Sequence, residues 1–229
     1  MFPDRREAGR ALAGQIAALV SGRAVVAGIP RGGVVVAAPI AERLGAPLTA
    51  VLARKLCVPL APEFAVGAVD EDGHALIDAE AVAALGIEAR DLTAAQGRAA
   101  REIGRQMARY GAPHLGALVG PDTDVVLVDD GLATGLTMRA ALAFVRRHGA
   151  KRAIVAAPCA SGPAADYFRL HADRFFCPIV DESFLAVGKY YEDFGAVDDD
   201  AVVKLLEEGR RAAHPPEYVT SPGSPRKEA

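Results

Sequence analysis

The run Val125-Val126-Leu127-Val128-Asp129-Asp130-Gly131-Leu132-Ala133-Thr134-Gly135-Leu136-Thr137 constrains this chain more than any other stretch. Its four consecutive aliphatic residues, without polar alternation, predict a strand buried on both faces, as in a parallel sheet. Two carboxylates end the apolar run, and a helical pattern follows from Met138 to Arg147. Open α/β sheets bind ligands at the carboxyl ends of their strands, so the carboxylates stand where a ligand would be held. The turn that follows is small and hydroxyl-bearing. It can direct backbone N–H groups and two hydroxyls at an anion on the helix N-terminus. Carboxylates accept hydrogen bonds from sugar hydroxyls and the turn accepts a phosphate, so together they predict a sugar-phosphate pocket. A solvated turn, or the acidic pair of a response regulator, accounts for only part of the run. A regulator's pair normally follows the first strand of its domain, whereas this one lies mid-chain and leads into Ala133-Thr134-Gly135.

The rest of the chain supplies the setting. An apolar stripe at Ala8, Leu12, Ile16 and Leu19 predicts an amphipathic helix over 4–20. A strand over 24–29, a helix over 38–44 and a strand over 48–53 complete a βαβ unit. Apolar stretches at 64–69 and 75–77 flank Asp70-Glu71-Asp72-Gly73, a hairpin turn. A long helix spans 88–110, with its arginines assigned to the surface. Beyond the opening motif come a strand at 153–157, a helix at 162–170 and a strand at 174–177. A loop-rich stretch at 178–196 and a helix at 198–208 end the ordered part. Alternating strands and helices predict a three-layer α/β fold with a mainly parallel sheet. It forms one domain over 1–210, followed by a proline-rich tail over 211–229 expected to be disordered.

Bulk composition narrows the partners. At 229 residues, 51% hydrophobic, the chain can bury a sizeable core. A formal charge of −3 gives no global pull toward nucleic acid or an anionic membrane, and no apolar run is long enough to span a bilayer. The three cysteines show no paired spacing and read as small buried hydrophobes of a reducing compartment. The five histidines are scattered singly. The start of the chain lacks a signal-peptide pattern, so a cytoplasmic protein is expected.

Three further clusters bear on chemistry. Gly28-Ile29-Pro30-Arg31-Gly32-Gly33-Val34 brings backbone N–H groups and a guanidinium to an anion between strand and helix. It lacks the third glycine of a dinucleotide fingerprint and the Gly-Lys-Ser/Thr of a P-loop. Arg54-Lys55 closes the second strand and can offset phosphate charge. Four of the thirteen aromatic residues, Phe184, Tyr190, Tyr191 and Phe194, fall within eleven positions and offer flat faces to a heterocycle. A core role for Phe184 and Phe194, with the tyrosines at the surface or a subunit contact, explains them equally well.

The 125–137 run resembles the phosphoribosyl diphosphate (PRPP) motif of type I phosphoribosyltransferases. Along roughly residues 3–208, including Val-Gly-Lys-Tyr-Tyr-Glu-Asp-Phe at 187–194, the chain is similar to bacterial phosphoribosyltransferase-like proteins. The resemblance implies that Asp129 and Asp130 hold the ribose hydroxyls. Gly131, Leu132, Ala133, Thr134, Gly135, Leu136 and Thr137 would wrap the 5′-phosphate. Arg31, Gly32 and Gly33 would take the pyrophosphate, in a loop that often contains a cis peptide. Arg54 and Lys55 would assist its departure, and residues 56–69 would form a closing loop. A hood, mainly 178–196, would cover a nitrogenous base, with Phe184, Tyr190 and Tyr191 as contacts. Mg²⁺ would be bound mainly through PRPP and pyrophosphate oxygens, and a homodimer is open to such a chain. Ala133 stands where enzymes for 6-oxopurines carry an Asp, which counts against hypoxanthine and guanine. Leu136 replaces the usual small residue. A sensor of PRPP or nucleotides that kept the pocket and lost turnover is the alternative, and a hydrolase of a phosphorylated sugar is a weaker one.

Overall fold

The computed structural model describes residues 1–58 and 61–213, with side chains over 1–57 and 65–211. Its first half comprises α1 (Arg5–Leu19), β1 (Ala24–Gly28), α2 (Gly32–Leu44), β2 (Leu48–Ala50), β3 (Arg54–Val58), β4 (Ala61–Val69), β5 (Ala75–Ile77), α3 (Ala79–Ala84) and α4 (Ala89–Tyr110). The second half comprises β6 (Asp124–Val128), α5 (Leu136–Arg147), β7 (Arg152–Ala156), β8 (Cys159–Ser161), α6 (Gly162–His171), β9 (Arg174–Phe176), β10 (Ile179–Asp181) and α7 (Asp199–Ala213). Single-turn 3-10 helices lie at Leu115–Ala117 and Val187–Tyr190.

The main sheet is parallel throughout, in the order β2-β1-β6-β7-β9. Successive side chains of a strand face opposite ways, and these strands bury both faces. Val26, Val126, Val128 and Ile154 pack with Leu12 and Ile16 of α1 and with Val34 and Ile40 of α2. Val25, Leu127 and Val155 pack with Met138 and Phe144 of α5 and with Phe168 of α6. The expected three-layer α/β architecture is therefore present. From β1 the chain goes to β2 on one side, and the later strands add on the other. The order thus reverses between β1 and β6, the place where such sheets open a crevice. The loops after these two strands carry Pro30-Arg31 and Asp129-Asp130.

Several segments differ from the sequence reading. The 64–69 and 75–77 stretches pair as the expected hairpin, whereas β3 and β4, also antiparallel, take up much of the 56–69 segment assigned to a closing loop and make this a second sheet. Residues 59–60 lie outside the described residues. The Asp70–Gly73 turn is present, and Glu71 ties it down by accepting the amides of Leu52 and Leu115 at 2.9 and 3.0 Å. α2 begins at Gly32 rather than Ala38, because burial of Val34 and Val36 outweighs the low helix propensity of glycine and β-branched residues. The short strands β8 and β10 pair only with each other. α7 continues past Glu208 to Ala213, so 211–213, expected in the tail, are helical. Arg210 donates to the Gly111 carbonyl at 3.2 Å and secures those last turns. The remaining tail, 214–229, lies outside the described residues.

The chain's first residues are sewn onto the loop before α7. The Phe2 amide donates to the Tyr190 carbonyl at 2.8 Å, and the Glu192 and Asp193 amides donate to the Phe2 and Pro3 carbonyls at 2.8 and 2.9 Å. Among the described residues, no helix is long and apolar enough to cross a membrane.

Candidate functional site

Asp129 and Asp130 emerge at the end of β6, and the N-termini of α2 and α5 open at the same edge of the sheet. The Asp130 amide donates to Asp129 Oδ1 at 2.8 Å. Burial at the strand end, and then the neighbouring Asp130 carboxylate, hold the Asp129 carboxyl well above the usual carboxylate range. Gly32 lies against the pair so closely that a Cβ there would overlap the Asp130 carboxylate. A Cβ on Gly33 would come within 2.6 Å of the Val128 carbonyl oxygen. The Pro30–Arg31 peptide between β1 and these glycines is cis.

The loop after the pair divides into an anchor and a cradle. Leu132 turns inward and is buried; its amide donates to the Cys159 carbonyl and its carbonyl accepts from Ser161, both at 2.9 Å. Its side chain is thus spent in the core, unlike the phosphate-wrapping residue expected at this position. The Ser161 hydroxyl fastens the Ala133 carbonyl at 2.6 Å. Gly135 adopts φ +69°, a left-handed conformation suited to glycine, and α5 starts without a capping side chain. The Leu136 amide makes a long contact with the Thr134 hydroxyl at 3.5 Å, and the Thr137 and Met138 amides remain available to an anion, together with the positive end of the helix dipole. Burial pushes the Cys159 thiol up to about 12, which leaves it protonated and unsuited to nucleophilic attack.

Two spaces meet at the acidic pair. A cleft of about 850 Å³ contains Arg54, Lys55 and Thr137, with one face of α4 as a wall. Arg54 reaches that wall, donating to Gln106 Oε1 at 3.3 Å and lying 3.6 Å from Glu102. A recess of about 360 Å³ contains Arg5, Arg31, Gly32, Asp130 and Phe194. Pro30 and Asp129 line both spaces. Arg31, expected with Arg54 and Lys55, lines the recess rather than the cleft.

Arg5 was not singled out in the sequence. Its Nε donates to Asp130 Oδ2 at 2.7 Å and its Nη1 to the Gly195 carbonyl at 2.8 Å. The guanidinium carbon stands 3.7 Å from the centre of the Phe194 ring. With side chains only 11% and 17% exposed, Arg5 and Asp130 form a nearly buried pair. We expect Arg5→Ala and Asp130→Asn to be coupled by about 1–2 kcal/mol in urea denaturation of the four proteins of a double-mutant cycle. Additive losses would show that the pair contributes nothing of its own.

The aromatic segment is arranged differently from the expected set of base contacts. Tyr190 and Tyr191 are buried, Phe184 stacks on Tyr190 with centroids 5.1 Å apart, and the Tyr191 hydroxyl donates to the Asp130 carbonyl at 2.6 Å. Tyr191 thus braces Asp130 from behind, the Tyr190 hydroxyl donates instead to Asp181 at 2.7 Å, and Phe194 lines the recess.

The histidines are less scattered than their spacing suggests. His114 and His148 stand 3.2 and 3.0 Å from Asp72, and His74 lies 4.0 Å from it. Asp70, Asp72 and His74 bring possible metal-ligand atoms within 4.8 Å of one another. Those groups are already engaged, since Asp70 binds Arg147 and accepts from the amides of Asp72 and His74. Burial alone would raise the Asp72 carboxyl, but the His148 hydrogen bond and nearby positive charges pull it below its ordinary value. The cluster fastens the β4–β5 turn to the end of α5, the end farther from the acidic pair.

Comparison with known proteins agrees with this geometry. Residues 5–194 match the phosphoribosyl transferase domain family. A Mycobacterium tuberculosis protein, provisionally named a phosphoribosyl transferase, is 37% identical over 216 residues in each of two strains, covering 92% of this chain. The chain spans 47% of that relative's length. The crystal structure of the TT1426 protein from Thermus thermophilus is 41% identical, with a TM-score of 0.73 over 90% of this chain and 98% of that one. The acidic pair at the switch point, the open helix N-terminus beside it and a family match covering both therefore lead to one conclusion: the chain belongs to the phosphoribosyl transferase domain family.

Proposed function

We propose that this chain transfers a 5-phosphoribosyl group from PRPP to a nitrogen of a flat acceptor, with release of pyrophosphate. The observation that carries the reading is the placement of Asp129 and Asp130 between a cationic cleft and a recess bordered by the Phe194 ring, two spaces that share Pro30 and Asp129. In this reading the two carboxylates accept hydrogen bonds from the ribose hydroxyls. The first-turn amides of α5 and the hydroxyls of Thr134 and Thr137 hold the 5′-phosphate. Arg54 and Lys55 offset the charge that gathers on the departing pyrophosphate. Arg31, Gly32 and Gly33 close the site where the two spaces meet. Phe194 and Arg5 border the acceptor.

Catalysis of this kind is positioning and electrostatics. Glycosidic cleavage leaves positive charge on the sugar, and the nearby carboxylates favour that state over the intact ester. Two adjacent carboxylates suit a hard divalent cation nearby. Mg²⁺ carried by the pyrophosphate and ribose oxygens would supply charge neutralisation for the leaving group. Tyr191 and the Arg5 pair hold the Asp130 segment in place before substrate arrives.

The test is a panel. Incubation with PRPP, Mg²⁺ and a range of purines, pyrimidines and simple amines should release pyrophosphate with at least one acceptor, hypoxanthine and guanine being inactive because of Ala133. PRPP binding without pyrophosphate release from any acceptor would instead identify a sensor that kept the pocket and lost turnover.

A further inference from the structure

The wall that α4 contributes to the cleft carries more charge than this reading uses. The amphipathic pattern assigns its arginines to solvent, yet Arg98, Arg101 and Arg105 line the same cleft as Arg54 and Lys55. Ala95, Ala99 and Ile103 are buried beneath them. The Tyr110 hydroxyl donates to Asp199 at 2.8 Å and fixes the far end of the helix. The wall is thus a seated surface. Arg98, Arg101 and Arg105 follow one another at three- and four-residue spacing, so they project on one side of the helix.

The charges on this wall are unevenly committed. Glu102 is shared between Arg105, which it binds directly, and Arg54 at 3.6 Å. Gln106 takes the other contact of Arg54. Among the described residues, no carboxylate lies within 4 Å of Arg98 or Arg101. Five cationic side chains thus face one space whose lining acids are Glu102 and Asp129, in a chain of net charge −3. Like charge gathered in a concave space focuses the potential and concentrates anions there. The space, about 850 Å³, falls within the roughly 300–1,000 Å³ of sites that enclose whole small ligands.

We propose that the α4 wall is a polyphosphate subsite, in which Arg98 and Arg101 hold the terminal phosphate of a diphosphate ester. The inner phosphate lies toward Lys55 and Arg54. The identity of that ester as PRPP rests on the function proposed above, whereas preference for a diphosphate over a single phosphate does not. Arg105 acts indirectly, by occupying Glu102 and so leaving the wall positive.

The test is calorimetric binding of inorganic pyrophosphate and inorganic phosphate to the full chain at low ionic strength. Arg98→Gln with Arg101→Gln keeps helix propensity and leaves the Arg54–Glu102–Arg105 network in place. Arg43→Gln with Arg90→Gln removes the same charge from α2 and from the start of α4, outside the cleft. Pyrophosphate affinity should fall about tenfold or more in the first variant and within about twofold in the second. Phosphate affinity should change little in either. Added salt should weaken pyrophosphate binding more steeply in the native chain than in Arg98→Gln/Arg101→Gln. Equal affinity of that variant and the native chain, or equal losses in both variants, would overturn the subsite. So would a native chain that binds pyrophosphate no better than phosphate. If such a chain still binds PRPP through Asp129 and Asp130, the proposed function survives the loss of this inference.

Discussion

Asp129→Asn combined with Asp130→Asn should remove PRPP binding from calorimetric detection, a loss of at least about a hundredfold, and should abolish any pyrophosphate release. Each carboxylate in the proposed complex accepts charge-assisted hydrogen bonds, worth about 1.5–3 kcal/mol apiece. An amide also returns an N–H group toward a hydroxyl, and it lacks the charge that favours the positive sugar. Asp129→Asn alone should separate function from folding. Its carboxyl is raised by burial and by Asp130, so at neutral pH ionisation of this group costs the folded state more than the unfolded one. The amide removes that cost, and thermal unfolding at pH 7 should show an equal or higher midpoint while PRPP binding is lost. Unchanged PRPP affinity in the double variant would overturn the ribose assignment.

The largest expected effect on stability lies at the opposite end of the same strand. Asp124 is fully buried at the start of β6. It accepts from Arg152 through two nitrogens, with Nε at 3.0 Å, and from the Ser21 amide at 2.9 Å. The same Arg152 donates to the Leu19 carbonyl at 3.0 Å, so one ion pair joins the end of α1, β6 and β7. Asp124→Ala should cost about 3 kcal/mol in urea denaturation, because it strands a guanidinium and an amide that the fold has partly withdrawn from water. The Arg152 hydrogen bond, outweighing burial, holds the Asp124 carboxyl below its ordinary value. A depressed carboxyl contributes stability that is complete above its unfolded value, near pH 4, and is lost as pH falls through the lower folded value. The native chain should therefore lose stability more steeply below about pH 4 than Asp124→Asn does. Parallel acid profiles would remove Asp124 from that account.

What could be read before the structure was known follows the reach of each interaction. The 125–137 run was legible because strand, carboxylates, glycine turn and helix start are consecutive, and each has a local signature. The α/β class was legible from the alternation of buried strands with amphipathic helices. Arg5 was not, because its partner Asp130 lies 125 positions away and nothing in its own helix marks it. The same distance effect hid the approach of His114 and His148 to Asp72. An amphipathic pattern says which face of α4 is apolar but not what its polar face meets, so arginines assigned to water turned out to line a cleft. The strands β8 and β10 have three residues each and no periodicity to detect; pairing with each other defines them.

The backbone stitching of Phe2 and Pro3 to residues 190–193 has a practical consequence for anyone producing this protein. Arg5 follows only three residues after Phe2, and its guanidinium forms part of the recess beside Asp130. Purification handles, cleavage scars and reporter fusions added in front of Met1 would therefore emerge next to the recess that contains Arg5 and Asp130. An assay performed on such a preparation would report partly on the appendage.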